Sequence, residues 1–333
     1  MKNILVYGAG SIGKRHITNL LSLGMNVFVW RKRSEKNQEL FDYFDGRVTI
    51  AKDFNSVKDE IDAVVIANST SQHREIIELS IQSNKHMYIE KPITRKVSGV
   101  DNLAQVIKER KLIVEVGCQL RKHPALDFLK SYLEKEDEAL YTFRIHAGQR
   151  LEDWRPGTDY RQSYSSKKNE GGGALLDIIH EIDLALWLLG DVKEVYGELS
   201  NISDQNIEAE DLVNIIMKLD SEAVGQIQLD LLSPILRRGL EIITRSSIYK
   251  WDYSDGSIFE FSKESEECIY EIDKAFNRND MFISTMENFI ERVSGNAKKP
   301  LCSFEDGIKA LKVVDAIERS FVNKSPSPVV LGE

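Results

Sequence analysis

The sequence predicts two domains of different fold class: an α/β domain with a doubly wound parallel sheet, then an α+β domain with an open, mostly antiparallel sheet. The first prediction rests on apolar runs that alternate with helical stretches up to about residue 117. The second rests on later strand-like runs that mostly follow one another without an intervening helix. These patterns give domains of residues 1–120 and 121–333, with the option that the C-terminal helix packs back on the first domain.

Short apolar runs predict the strands of the first domain. The run at residues 63–67 is almost wholly apolar, as expected of a parallel strand buried on both faces. A helix that ends near residue 23 follows the first strand, and two others are predicted at about 71–83 and 98–110. The predicted strands are residues 4–7, 27–30, 48–50, 63–67, 86–90 and 112–116.

The second domain is predicted to consist mainly of strands joined by turns. Helices are predicted at 124–134, 281–293 and 304–321, and Ser303 is the expected N-cap of the last one. Residues 171–190 are predicted to form one helix that is apolar nearly all round. The predicted strands are residues 140–146, 192–199, 212–219, 223–231, 240–253 and 257–261.

A glycine-rich turn lies between the first strand and the first helix. Gly8, Gly10 and Gly13 have the G-x-G-x-x-G spacing of the Rossmann dinucleotide-binding fold in its required strand–turn–helix setting. The N–H groups at the helix start, near Ser11 and Ile12, are then expected to face the cofactor's pyrophosphate. The alternative is a glycine-rich turn without a ligand.

Basic residues follow the second strand where an NAD-preferring site places an acid. Arg31, Lys32, Arg33 and Ser34 come before the first carboxylate, Glu35. Cations and a hydroxyl suit a 2′-phosphate, and arginine can grip it with two N–H bonds. We therefore predict NADP as the preferred cofactor over NAD. The alternative is a solvated basic turn.

Two further stretches carry groups suited to catalysis. Lys91 follows the fifth strand, where Pro92 restricts its backbone to extended conformations, and partial desolvation would suit it to proton transfer. On spacing alone, a surface lysine is the favoured interpretation. Asp177, His180, Glu181 and Asp183 form one polar stripe on the apolar helix, which is typical of a face that lines a cleft. A lone buried histidine is otherwise a core residue.

Composition excludes several classes of function. A net charge of −9 argues against nucleic acid as a partner, since phosphate binding needs a basic face. No apolar run approaches the ~18 residues of a membrane span, and the N-terminus has the pattern of a strand and not of a signal peptide. Cys118, Cys268 and Cys302 lack metal or disulfide spacing. We therefore expect a cytoplasmic protein without a metal.

These motifs together resemble the glucose–fructose oxidoreductase / inositol dehydrogenase / MocA family. The resemblance rests on Gly8-x-Gly10-x-x-Gly13 with Arg15-His16, Ala67-Asn68-Ser69 with His73, Glu90-Lys91-Pro92, Gly171-Gly172-Gly173 with His180-x-x-Asp183, and Trp187-Leu188-Leu189-Gly190. It implies NAD(P)-dependent oxidation or reduction of a sugar-like carbon in a cleft between the two domains. It also implies that Lys91 and His180 are catalytic, and that Asn68, Ser69, His73, Glu90 and Lys91 contact the cofactor.

One residue departs from the family pattern. The family commonly has an Asp four residues before the His, whereas Asp177 lies three residues before His180. Asp177 is therefore a weaker candidate than His180, and either Asp177 or Asp183 is expected to orient the imidazole. The Asp-x-x-His form is similar to that of members linked to surface-polysaccharide and nonulosonate pathways.

Substrate contacts are predicted from position. Arg121 follows the last strand of the first domain, and Trp154, Arg155 and Arg161 precede the triple glycine. Together with Lys91, Asp177 and His180 they would suit a sugar that bears a carboxylate or phosphate. The alternative is a surface loop with ordinary charges.

The function predicted from these residues is hydride transfer between a nicotinamide and a hydroxyl or carbonyl carbon of a sugar or sugar derivative. The expected partners are this small molecule and further copies of the chain, assembled as a homo-oligomer through the open sheet. Two alternatives stay open: a non-catalytic dinucleotide-binding sensor, and an enzyme that uses tightly bound NAD(P) for transient oxidation without net turnover.

Overall fold

The computed structural model of the chain describes residues 2–32, 34–136 and 138–331, with the backbone alone at Ser34. The chain forms two compact units. Unit 1 comprises Met1–Gln119 and Asn277–Ile308, and unit 2 comprises Leu120–Phe276 and Lys309–Glu333. Both units are therefore assembled from two separate stretches of the sequence.

The helices of the described residues alternate with strands in the first third of the chain and are sparse afterwards. None of them is long and apolar enough to cross a membrane. They are α1 Ser11–Ser22, α2 Asn37–Tyr43, α3 His73–Gln82, α4 Val100–Glu109, α5 Pro124–Glu136, α6 Ala174–Asp177, α7 His180–Leu189, α8 Arg278–Val293 and α9 Phe304–Asn323.

Unit 1 contains a parallel sheet whose strands, as far as they are described, lie in the order β3-β2-β1-β4-β5-β6. The strand order reverses between β1 and β4, which is the switch point where doubly wound folds bind ligands. The strands are β1 Asn3–Tyr7, β2 Asn26–Trp30, β3 Val48–Ile50, β4 Ala63–Ile66, β5 His86–Ile89 and β6 Val114–Val116. All four residues of β4 are buried, as its apolar run predicts.

Helix α8 returns to unit 1 and completes its core. Asn277 caps it through a capping box with Asp280. Met286, Phe289 and Val293 are buried in one apolar cluster with side chains from the parallel sheet. The Tyr88 hydroxyl of β5 lies 3.2 Å from the Thr285 hydroxyl.

Unit 2 contains an open sheet in which the described strands lie in the order β14-β13-β12-β11-β7-β10-β9-β8-β15. The pair β7 and β10 is parallel, and the other neighbours are antiparallel, which confirms the mostly antiparallel prediction. The strands are β7 Leu140–Gly148, β8 Val192–Ser200, β9 Leu212–Leu219, β10 Val224–Asp230, β11 Arg237–Thr244, β12 Ser247–Asp252, β13 Ile258–Ser262, β14 Glu266–Tyr270 and β15 Ser327–Pro328.

The prediction of one helix over residues 171–190 is wrong. Helix α6 ends at Asp177 and α7 begins at His180. Ile178 leaves the helical conformation with φ −105° and ψ 30°, and both it and Ile179 are buried. Two consecutive β-branched residues are poor helix formers, and the break keeps both of them in the core. The spacing of Asp177 and His180 is consequently not that of a regular helix.

Candidate active site

The turn between β1 and α1 is shaped by its glycines. Gly8 has φ +100°, and a Cβ there would lie 2.7 Å from the carbonyl oxygen of Ala67. A Cβ on Gly13 would lie 2.1 Å from the carbonyl oxygen of Gly8. At Gly10, by contrast, a Cβ would meet no described atom within 4 Å. Gly8 and Gly13 thus allow close packing of the backbone, whereas Gly10 leaves open space.

The start of α1 carries the features of an anion site. Gly10 and Ser11 are exposed, and Ile12 is half-buried. No described side chain caps this helix start, and its first turn contains no acid. Free N–H groups and the helix dipole both favour a negative charge at this position. The turn therefore fits the pyrophosphate of a dinucleotide.

The carboxyl end of β2 is where selectivity between NAD and NADP was predicted. Arg31 is half-buried directly after the strand. The Lys32 ammonium lies 3.4 Å from a carboxylate oxygen of Glu75. Arg33 and the side chain of Ser34 lie outside the described part of the chain. Lys32 thus has an acid close to its ammonium, and Arg31 is the described candidate cation for a 2′-phosphate.

His73 links the loops that follow β4 and β5. Its Nδ1 lies 2.9 Å from the carbonyl oxygen of Pro92, and its Nε2 lies 3.1 Å from that of Asn68. The side chain is buried, and burial lowers its pKa. Ser69 is half-buried and lies between Asn68 and the short turn that leads to His73. His73 therefore holds Asn68 and the Lys91–Pro92 segment together, and both ring nitrogens face protein atoms.

Glu90 and Lys91 follow β5 directly. The Glu90 carboxylate lies 2.7 Å from Nε2 of the buried His16 on α1, and Glu90 itself is 6% exposed. A Cβ on Gly117 would approach this carboxylate to 3.0 Å. Lys91 is half-buried, and its peptide bond to Pro92 is cis. The Glu90 side chain thus ties α1 to the segment that carries Lys91.

In unit 2, two candidate residues flank the break between α6 and α7, and both are buried. Asp177 is 6% exposed and His180 is 5% exposed. The Tyr164 hydroxyl donates a 2.7 Å hydrogen bond to Oδ1 of Asp177. The Arg155 guanidinium lies over the Tyr164 ring, 5.6 Å from its centroid. The structure therefore brings predicted substrate residue Arg155 and predicted catalytic residue Asp177 to one tyrosine.

The other two acids of the polar stripe are neutralised by arginines. Arg121 donates two hydrogen bonds to Asp183, at 2.7 and 3.1 Å, and both side chains are buried. Glu181 lies 2.7 Å from the Arg238 guanidinium. The two parallel hydrogen bonds of the buried Arg121–Asp183 pair fix the orientation of both side chains. Asp183 and Arg121, predicted as imidazole orienter and substrate contact, thus share one ion pair.

The triple glycine serves close contacts within unit 2. A Cβ on Gly172 would lie 2.3 Å from the Tyr164 carbonyl oxygen, and one on Gly173 would lie 2.4 Å from Oε1 of Glu210. Glu210 accepts from the Leu175 N–H and is 9% exposed, and burial raises its pKa. The atoms nearest to Gly172 and Gly173 are thus the protein's own.

The remaining predicted substrate residues lie in the segment before the triple glycine. Trp154 is half-buried, and its Nε1–H donates to the carbonyl oxygen of Gln149 at 3.2 Å. Arg161 is exposed and pairs with Asp159 at 2.9 Å within its own turn. These contacts are local, and they do not join Trp154 or Arg161 to the Asp177 group.

Two family models match the chain over more than half of its length. One describes an oxidoreductase family with an NAD-binding Rossmann fold and matches residues 2–118. The other is the GFO/IDH/MocA C-terminal domain and matches residues 139–245. The chain belongs to the Gfo/Idh/MocA family. The two matched regions cover the parallel sheet of unit 1 and the first strands of the unit 2 sheet.

Named relatives in the Gfo/Idh/MocA family are sugar and polyol dehydrogenases. The myo-inositol 2-dehydrogenase of Thermotoga maritima is 23% identical over 96% of each chain. The levoglucosan dehydrogenase of Pseudarthrobacter phenanthrenivorans is 29% identical over 60% of this chain and 54% of that protein, about half its length. A solved levoglucosan dehydrogenase in complex with NADH and levoglucosan has the same fold, with a TM-score of 0.87 at 21% identity over 99% of this chain and 100% of that one.

For this Gfo/Idh/MocA chain, sequence reasoning missed Tyr164 and Glu210. Both act on the α6 region from a distance in sequence, and neither belongs to a motif. The Ser-Tyr-Ser-Ser run around Tyr164 reads as an ordinary polar loop. No signal in a single sequence would have connected it to Asp177.

Proposed function

We propose that the chain is an NAD(P)-dependent dehydrogenase or reductase that acts on a hydroxyl or carbonyl carbon of a sugar or sugar derivative. The observation that carries this proposal is the burial of Asp177 and His180 on either side of the α6–α7 break, with the Tyr164 hydroxyl bonded to Asp177, in a chain whose unit 1 has a turn that fits a dinucleotide. A sensor has no need for a buried histidine three residues after a buried aspartate. The names of the relatives, which act on inositols and on levoglucosan, support a sugar substrate.

Each candidate residue has a chemical role in this proposal. Bound NAD(P) supplies the hydride acceptor or donor. The His180 imidazole takes or returns the proton of the reacting hydroxyl. Lys91 donates a hydrogen bond to the reacting oxygen and stabilises negative charge on it. Asp177 orients the imidazole or a substrate hydroxyl, and Arg155 offers a cation to an anionic substituent of the sugar.

We propose NADP as the preferred cofactor. The support is Arg31 directly after β2, with no acid before Glu35. In this proposal residues 1–120 serve the cofactor together with residues 277–308, which belong to unit 1, and the rest of residues 121–333 serves the substrate and assembly. The face of the open sheet exposes Ile216 and Val224, 54% and 44% accessible, which supports a homo-oligomer formed through that face.

The test is turnover of a sugar panel by the full chain, followed through the absorbance of the reduced nicotinamide. The panel contains inositols, anhydro sugars, nucleotide sugars and sugar acids. We expect Lys91→Ala and His180→Ala to keep cofactor affinity and to lose about 100-fold or more of kcat. His180→Ala should be at least as damaging as Asp177→Ala, because the histidine carries the proton.

Lys96→Ala is the matched control, since Lys96 is an exposed lysine a few residues beyond Lys91. It should retain turnover. Cofactor binding without turnover of any sugar would favour the sensor alternative. Conversion of a sugar without net change in the nicotinamide would favour transient oxidation.

A further inference from the structure

Tyr164 stands in the segment that leads into the triple glycine. Its hydroxyl donates to Asp177 at 2.7 Å, and its ring carries the Arg155 guanidinium at 5.6 Å from the centroid. One side chain thus touches a candidate for the reaction and a candidate for substrate binding. Neither the family motifs nor the predicted site includes it.

The backbone around Tyr164 is held to the turn that starts α6. The Gly173 N–H donates to the Ser165 carbonyl at 2.9 Å, and the Gly172 N–H donates to the Lys167 carbonyl at 3.1 Å. The Tyr164 carbonyl itself fills the space beside Gly172 where a Cβ would be. Tyr164 is therefore fixed relative to α6 by main-chain bonds, independently of its hydroxyl.

Asp177 needs such support because of where it lies. It is the last residue of α6, a helix of four residues, and the chain leaves helical geometry at the next residue. A terminal side chain on one helical turn has several accessible rotamers. A hydrogen bond from a fixed donor selects one of them.

The charges around the hydroxyl keep Tyr164 a donor. Desolvation and the Asp177 carboxylate raise the pKa of Tyr164 well above its usual value, while Arg155 opposes them. The phenol is therefore protonated at neutral pH, and Asp177 is the acceptor. Hydrogen bonds to a carboxylate are stronger than those between neutral groups.

We propose that Tyr164 is a positioning residue for the reaction: its hydroxyl holds the Asp177 carboxylate in one orientation, and its ring aligns Arg155 with the same group. This rests on the proposed function of Asp177 and extends it to a residue outside the family motifs. Tyr164 acts through Asp177, and its removal should slow the reaction without weakening the cofactor.

The test uses Tyr164→Phe, which removes only the hydroxyl. Tyr160→Phe is the matched control, because Tyr160 lies in the same segment and donates to the Gln205 carbonyl at 3.1 Å. We expect Tyr164→Phe to lower kcat by about tenfold, with cofactor affinity and sugar KM changed less than about threefold. Tyr160→Phe should leave kcat within about twofold of wild type.

A double-mutant cycle separates positioning from general structural damage. In an Asp177→Asn background, the added Tyr164→Phe change should lower kcat less than about twofold, since the group that it positions is already altered. An equal loss of kcat in both backgrounds would overturn the proposal. So would a wild-type kcat for Tyr164→Phe.

A second cycle needs no enzymatic activity and keeps the proposal testable if no sugar is turned over. The urea midpoints of the two single variants and the double variant are compared with that of wild type. If Tyr164 holds Asp177, the loss in the double variant is smaller than the sum of the single losses. Additive losses would reject the contact, whereas absent turnover with non-additive losses would reject only the proposed function.

Discussion

Charge directly after β2 is the residue-scale feature that distinguishes the two nicotinamide cofactors. The ribose 2′-hydroxyl of NAD requires an acceptor, and the 2′-phosphate of NADP requires donors and positive charge. Arg31 is half-buried at this position, so its guanidinium is less screened than that of a fully exposed residue. The site therefore offers donors where NAD would need an acid.

Arg31→Asp is expected to narrow or reverse the proposed preference for NADPH over NADH, because the new carboxylate repels the 2′-phosphate and accepts from the 2′-hydroxyl. Fluorescence titration of both cofactors measures the ratio of dissociation constants. Arg47→Asp is the control: Arg47 is an exposed residue at the amino end of β3, whereas Arg31 follows the carboxyl end of the neighbouring parallel strand β2. The control makes the same charge change and should leave the ratio unaltered. Equal affinities in the wild-type protein would contradict the NADP preference.

The roles of His73 and Glu90 show a limit of motif reading at this scale. Both are predicted as cofactor contacts. In the structure the His73 ring lies in hydrogen-bond distance of the Pro92 and Asn68 carbonyl oxygens, and the Glu90 carboxylate lies in hydrogen-bond distance of His16. His16 lies 74 positions before Glu90 in sequence. A motif indicates which residues lie near a site. The hydrogen-bond partner of each side chain depends on tertiary contacts, which cannot be read from a single sequence.

At the scale of elements, the β1–α1 turn separates packing from ligand space. Gly13 is in contact distance of the Gly8 backbone, whereas the position of a Gly10 Cβ is open. Gly10 also has φ −73°, which any residue can adopt. The two glycines should therefore fail in different assays when each is replaced by alanine.

Gly13→Ala should lose about 1–3 kcal/mol or more of the free energy of unfolding, because the backbone must move to admit the methyl group. The Gly10→Ala protein should have a free energy of unfolding within about 0.5 kcal/mol of wild type. It should nevertheless bind NAD(P)H at least about tenfold more weakly. Urea denaturation and fluorescence titration measure the two quantities. A Gly10→Ala protein with unchanged cofactor affinity would remove this turn from the cofactor site.

The elements that sequence predicted well are those with a clear apolar run. Strand β9 matches its predicted bounds, and β3 does as well. The predicted single strand at 240–253 is wrong, since the structure has the hairpin of β11 and β12 there. The prediction missed the turn at Arg245 and Ser246 because this turn contains neither glycine nor proline. The break between α6 and α7 is hard to detect for a related reason: residues 171–190 are apolar nearly all round, so their weak periodicity does not show where the helix is interrupted.

At the scale of the whole molecule, buried and half-buried histidines are expected to make stability depend on pH. Burial is the first cause of lowered pKa values at His73, His86, His123 and His146. At His123, burial and the nearby Arg238 lower the pKa to about 4. Its ring packs against Trp251 and Phe276 at centroid distances of 5.1 and 5.2 Å.

Stability is expected to fall as the pH drops from about 6.5 to about 4, because the unfolded chain then binds a proton at residue 123 that the folded chain excludes. His123→Phe should flatten this part of the curve by up to about 3 kcal/mol, since it removes the titrating group and retains an aromatic ring. Urea unfolding at a series of pH values measures the difference. If the free energies of unfolding of the two proteins change with pH in parallel, His123 binds its proton equally well in the folded and unfolded states, which contradicts this prediction.

The discontinuity of unit 1 affects how the protein is made. Translation produces β1 to β6 first, and the ribosome then adds about 160 residues of unit 2 before it reaches α8. At about 5–20 residues per second this takes on the order of 10–30 s. Throughout that time the nascent parallel sheet lacks Met286, Phe289 and Val293, so part of one apolar face stays uncovered. The newly synthesised chain is therefore most exposed to aggregation and to chaperones in the interval before α8 leaves the ribosome.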